Sequence, residues 1–219
     1  MQETNREIID KQLNDSLNAP RSKYKLSETI ETMTSSLRKI ISNIYFVDPL
    51  YENEELLETA KHLEHLVEKA KIDELFPPWL NISYKNPLSG LMNPIAPPLV
   101  YPKVGQTDFH VSFNKAHQGM NNVVHGGVLA SVLDEAIQKT SQQIGKFCAT
   151  SEITTVFKKP TPTNVELIIR SKIVDIQENR ILITAELLCN EVITAVATAT
   201  MVPIDIEKIK KSVSDTLKS

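Results

Sequence analysis

Four consecutive segments in the C-terminal part of the chain constrain its fold most. "CATSEITTVFKK", "NVELIIRSKIVDIQ", "RILITAELLC" and "EVITAVATATMVP" alternate apolar and polar residues with a period of two and are rich in β-branched side chains. That is the pattern of half-buried strands. Only "PTPT", "ENR" and "NE" separate them. Connections so short predict antiparallel neighbours, because a parallel pair needs a long crossover. In the last segment Ile193, Ala195, Ala197 and Ala199 make one expected face small, so that a helix can lie close to the sheet.

The helix that would lie there precedes the strands. From Gly126 to about Gln142, Val128, Val132 and Ala136, with Leu129, Leu133 and Ile137, form an apolar stripe at helical spacing. One further strand-like run, "TDFHVSFN", stands before it, with Phe109, Val111 and Phe113 alternating. The prediction is an α+β domain over residues 106–205, one long helix packed on an antiparallel sheet, followed by a tail at 206–219.

The N-terminal part is of another kind. "NEELLETAKHLEHLVEKAKIDEL" places Leu56, Ala60, Leu63, Val67 and Ala70 three and four residues apart, the mark of an amphipathic helix. "KLSETIETMTSSLRKIISNI" does the same more weakly through Ile30, Met33, Leu37 and Ile41, with Ser27 as a start signal. Residues 1–76 are therefore expected to be a helical extension. His62 and His65 share a face of the later helix, but no third metal ligand accompanies them, and no metal site is expected. Residues 77–105 form a connector: seven of the twelve prolines fall in 77–102, which forbids a regular helix or a central strand. Trp79, Leu88, Leu91, Met92 and Ile95 predict that this connector is packed down.

Composition narrows the function. A net charge of −3 and the lack of a basic stripe argue against nucleic acid. No apolar stretch approaches a membrane span, and the mixed-charge start "MQETNREIIDKQLND" reads as neither a secretory signal nor a transit peptide, so a cytoplasmic protein is expected. Cys148 and Cys189 lie in strand-like runs without metal-ligand spacing and are expected to be buried free thiols.

The chemistry gathers at "NNVVHGGVLASVLDEA". Two of only six glycines are adjacent here, at the mouth of the long helix. Asp134 follows Gly127 by seven residues, nearly two turns, which puts both on one helix face about 10 Å apart along the axis. The helix N-terminus offers unpaired amides and the positive end of the dipole, and glycine lets a ligand oxygen approach them. Such donors suit an oxyanion hole, and an aspartate in the same pocket can activate water or attack a carbonyl. The same residues also fit a structural role, with the glycines allowing close packing and Asp134 a solvated acid.

"HGGVLASVLDEA" followed by "FCATSEITTVFKKPTP" resembles the hotdog-fold acyl-CoA thioesterases, in particular the PaaI-like branch and its THEM4-like relatives. The shared features are His-Gly-Gly at the helix entry, an acid nine residues after the His, and a strand ending in an aromatic, two basic residues and proline. Gly119 in "AHQGMNNVVHGG" matches the group's Gly-rich lead-in, whereas "MNN" departs from it. The resemblance spans roughly residues 106–203. It implies Asp134 as catalytic general base or nucleophile and Gly127, with His125 and Gly126, as the oxyanion and positioning segment. It further implies that Thr150 orients water or the acid, with Ser151 and Asn122 near the substrate, and that Lys158 and Lys159 meet coenzyme A phosphates. No cofactor is implied beyond the coenzyme A of the substrate. The resemblance also implies a homodimer or dimer of dimers, with sheets joined edge to edge and each site shared between subunits. The expected activity is hydrolysis of an acyl-CoA to free acid and coenzyme A. Its rivals are a non-catalytic acyl-CoA-binding or regulatory module and a hotdog hydratase or dehydratase.

Overall fold

The computed structural model of the chain describes residues 28–44, 47–48, 50–69, 88, 93–97, 99–100, 108–144 and 148–205. Two helices come first, α1 (Glu28–Ile44) and α2 (Glu54–Lys69). They lie within the expected helical segments; Ser27 falls outside the described residues, as do Trp79, Leu91, Met92 and the expected tail at 206–219. Of the connector, Leu99–Val100 form a short strand, β1, whose Leu99 is buried beside Ala96. A two-residue edge strand is the place a proline-rich segment allows.

Then follow β2 (Asp108–Ser112), a 3₁₀ turn (Lys115–His117), the small strands β3 (Gln118–Met120) and β4 (Val123–Val124), and the long helix α3 (Gly126–Ser141). The chain continues through β5 (Cys148–Phe157), β6 (Glu166–Gln177), β7 (Arg180–Cys189) and β8 (Val192–Pro203). The main sheet is antiparallel, in the order β1-β2-β6-β7-β8-β5. The predicted helix and all four C-terminal strands are present. The β3–β4 hairpin was not expected from the sequence, since two strands of three and two residues carry no usable alternation.

α3 lies on the inner face of this sheet. Leu129, Val132, Leu133, Ala136 and Ile137 are buried against residues such as Ile169, Ile183, Ala185, Leu187, Ala197 and Met201. Val128 packs at the margin. The alanines of β8 bring the helix axis close, as expected. Cys148 is buried and Cys189 half-buried against the core, both as free thiols.

The sequence reading fails at two points. β5 and β6, joined through "PTPT", are not neighbours: β5 pairs with β8, and β6 sits between β2 and β7. Residues 158–165 cross the end of the sheet instead, and eight extended residues, about 26 Å, suffice to pass two intervening strands at about 4.8 Å spacing. The other failure is at Ile193. A bulge in β8 interrupts the pairing, with Leu187 opposite Ala195 but Leu188 opposite Ile193. The extra residue, Thr194, reverses the alternation, so Ile193 faces away from the helix while Ala195, Ala197 and Ala199 face it.

A polar contact ties α1 to the connector, and another ties the connector to the domain. Arg38 donates to the Asn93 carbonyl at 3.0 Å. The buried His117 donates from Nε2 to the Ile95 carbonyl at 2.8 Å and accepts the Asn114 amide on Nδ1 at 3.1 Å. Burial lowers its pKa below the usual value; the Ile95 carbonyl opposes this and the Arg38 charge adds to it.

Candidate active site

The site has two halves, one at the middle of α3 and one at its N-terminus. At the middle Thr150 Oγ1 donates a hydrogen bond of 2.8 Å to Asp134 Oδ1. β5 is built to allow this. Its pairing with β8 skips Ser151, placing Thr150 opposite Met201 and Glu152 opposite Thr200. The bulge turns both Thr150 and Ile153 toward α3, although three residues separate them. Asp134 is half-buried, and its second oxygen makes no hydrogen bond among the described residues. Ser151 is spent on the strand itself, its hydroxyl donating to the Thr200 carbonyl at 3.0 Å.

At the N-terminus His125 caps α3 in extended backbone geometry (φ −62°, ψ 134°). Its Nδ1 accepts the Gly127 amide at 3.0 Å, so Nδ1 is unprotonated. The Val128 and Leu129 amides both donate to the His125 carbonyl. The amide expected to be open, that of Gly127, is thus occupied. The first-turn amide with no partner among the described residues belongs to Gly126. The half-exposed ring of Phe157 lies over this glycine: a β-carbon on Gly126 would stand 3.1 Å from its Cζ. Bulk is excluded at Gly119 as well, where a β-carbon would meet His125 Cα and Cδ2 at 3.1 Å.

The crossover after β5 clamps this end. The Val124 amide donates to the Thr161 carbonyl at 2.9 Å, and the Thr163 amide to the Asn122 carbonyl at 3.0 Å. Asn122 holds the β3–β4 turn with a φ of 58°, a left-handed conformation that asparagine tolerates. Its exposed side chain leans on no described partner. Lys158 and Lys159 anchor the start of the crossover through amides to the Thr194 carbonyl, at 2.8 and 3.1 Å, with their side chains exposed.

The structure therefore brings Asp134 to Thr150, Gly127 to His125 and Gly126 to Phe157, with the lysines just beyond. It does not bring these two groups together in one chain. Eight residues of helix separate Gly126 from Asp134, about 12 Å along the axis. Sequence reasoning missed the open Gly126 amide and the ring above it. The spacing of three between Thr150 and Ile153, in a strand that otherwise alternates, was the one trace of the bulge. Among the described residues no three metal-ligating side chains converge, and no helix is long and apolar enough to cross a membrane.

A sequence profile of the thioesterase superfamily matches residues 121–195, from the β3–β4 turn into β8. The crystal structure of a thioesterase superfamily protein superposes with a TM-score of 0.69 at 22% identity, covering 80% of this chain and 96% of the other. The domain has the hotdog fold of the thioesterase superfamily. The share of this chain covered exceeds the helix-and-sheet domain alone, so part of the N-terminal extension belongs to the shared architecture. More distant matches include a Bacillus halodurans protein crystallised with CoA (18% identity, 70% and 93% coverage, TM-score 0.45). Another is the E. coli PaaI protein of the phenylacetic acid degradation operon (16%, 45% and 72%, TM-score 0.43). No curated protein matches the chain.

Proposed function

We propose that the protein hydrolyses acyl-CoA thioesters in a homodimer whose two active sites each draw on both subunits. The observation that carries this reading is the Thr150–Asp134 hydrogen bond on a hotdog helix whose N-terminal Gly126 amide is unspent. Asp134 has one oxygen held by Thr150 and one unpartnered, which suits a general base. Water attacks the thioester carbonyl carbon as that oxygen takes its proton. The Gly126 amide holds the negative oxygen of the tetrahedral intermediate, and the carbon–sulfur bond then breaks, the departing coenzyme A sulfur receiving the proton. Hydrolysis needs donor and base within about 3 Å of the same small group, which the separation along one α3 opposes.

A second subunit supplies the missing half. β5 is an edge strand of ten residues, with Thr150 near one end and Phe157 at the other, both facing α3. Antiparallel pairing of β5 with its copy, about a two-fold axis at its middle, sets Thr150 and Asp134 of one subunit against Phe157 and Gly126 of the other. Lys158 and Lys159 then flank the shared site, where coenzyme A phosphates would find them. With Gly127 donating to His125, its role becomes holding the cap, and Gly126 takes the carbonyl.

Release of free thiol from a panel of acyl-CoAs tests the activity; binding without release would replace hydrolysis with a sensing role. Asp134→Asn should abolish turnover with the fold intact. Gly126→Pro deletes the amide at the first helical position, after an extended residue, and its β-carbon requires the Phe157 ring to give way by a few tenths of an ångström. It should lower kcat by about 10²–10³. Mixing the two variants decides the shared site: random re-pairing of subunits leaves about a quarter of sites intact. Recovery to that level is expected, and none would mean that each site lies within one chain.

A further inference from the structure

α2 is the one described α-helix without a buried residue. Its apolar stripe is exposed, with Leu56 at 59%, Leu63 at 37% and Val67 at 50% exposure, flanked by Leu57 and Leu66. We propose that α2 docks on the α2 of a second copy of this chain as an antiparallel pair. The stripe runs Leu56, Ala60, Leu63, Val67, spaced four, three and four residues apart, which is the seam of a two-helix coil.

The order of the residues selects both the partner and the direction. A two-fold axis at the helix midpoint, between Lys61 and His62, sets Leu56 against Val67 of the copy and Ala60 against Leu63 of the copy. Every seam layer then joins two apolar residues, and the small alanine meets the large leucine. The arrangement is isologous, as a symmetric homodimer contact must be. A parallel pair would instead oppose Ala60 to Ala60 and leave a void.

Charge points the same way. Glu52, Glu54, Glu55 and Glu58 give the N-terminal end four acids and no base, whereas in the rest of the helix Lys61 and Lys69 balance Glu64 and Glu68. Antiparallel docking lays the acidic end along the charge-balanced one and opposes the helix dipoles; parallel docking stacks the acids on their own copies. Five glutamates against two lysines within Glu54–Lys69 also make this helix a poor match for an anionic membrane surface.

Single cysteines in the purified full-length chain test the arrangement. Ala60→Cys or Leu63→Cys should give covalent dimer with a short bismaleimide, above the background of the native thiols. Leu56→Cys should give none, because its two copies lie about 16 Å apart along the axis. Adding Leu63→Glu to Ala60→Cys should abolish the product while the hotdog domain unfolds at an unchanged denaturant concentration. Absence of cross-linking at both seam positions overturns the proposal. Equal cross-linking at 56 and 63 overturns the direction, and capture by phosphatidylcholine vesicles without self-cross-linking replaces the partner with a membrane.

Discussion

Helices α2 and α3 are both sixteen residues long and both carry an apolar stripe, yet their fates are opposite. α3 is covered by the sheet, with Leu133, Ala136 and Ile137 reduced to zero exposure. α2 has no buried residue among those described. Periodicity thus reports that a helix has a face and is silent on what covers it. The cover of α3 is set by four strands that curl around it, an arrangement of residues far apart in sequence.

The contrast is broken most forcefully by equal truncations. Leu133→Ala should cost about 2–5 kcal/mol of domain stability, whereas Leu63→Ala should stay within about 0.5 kcal/mol. Urea denaturation followed by a probe in the sheet measures both, and similar losses would mean that α2 belongs to the core.

The polar flank of α3 gives a smaller and different effect. Thr150→Val keeps the shape and deletes the donor to Asp134, so kcat should drop about tenfold, equivalent to about 1.4 kcal/mol. Stability should change little, since the site is half open. A large loss of stability with unchanged kcat would make this contact structural.

α1 stands between the two extremes, since its Arg38 reaches the connector to which the buried His117 donates. Because folding lowers the His117 pKa below 6.5, the unfolded chain takes up a proton that the folded chain refuses. Its contribution is complete above the unfolded pKa and is lost as pH falls below it. The urea midpoint should decline through that range, and His117→Gln should flatten the decline. An unchanged slope in that variant would place the pH dependence elsewhere.

The strands were legible because alternation and β-branching are local properties, and α3 because its stripe is long. His125, Asp134 and Thr150 were legible as a pattern too, and the last two meet as expected. The strand order was not. A short, proline-bearing connection looked like a hairpin, and only the crossing of β5 to the far side of β8 turned it into a clamp on the helix entrance. The bulges at Ser151 and Thr194 were equally hidden, since one inserted residue is invisible until two strands are paired.

What the sequence by itself determined is the inventory: one helix, four long strands, a glycine pair and an acid at fixed helical spacing. These follow from side-chain period and backbone freedom within a dozen residues. The tertiary structure alone decided which amide is left to donate. His125 could be seen in the sequence beside both glycines, but the fold rotated its ring onto the Gly127 amide, left that of Gly126 unspent, and laid Phe157 above it. The cap itself joins residues two apart, but the ring over Gly126 comes from a segment thirty residues away, and no local pattern encodes that cover.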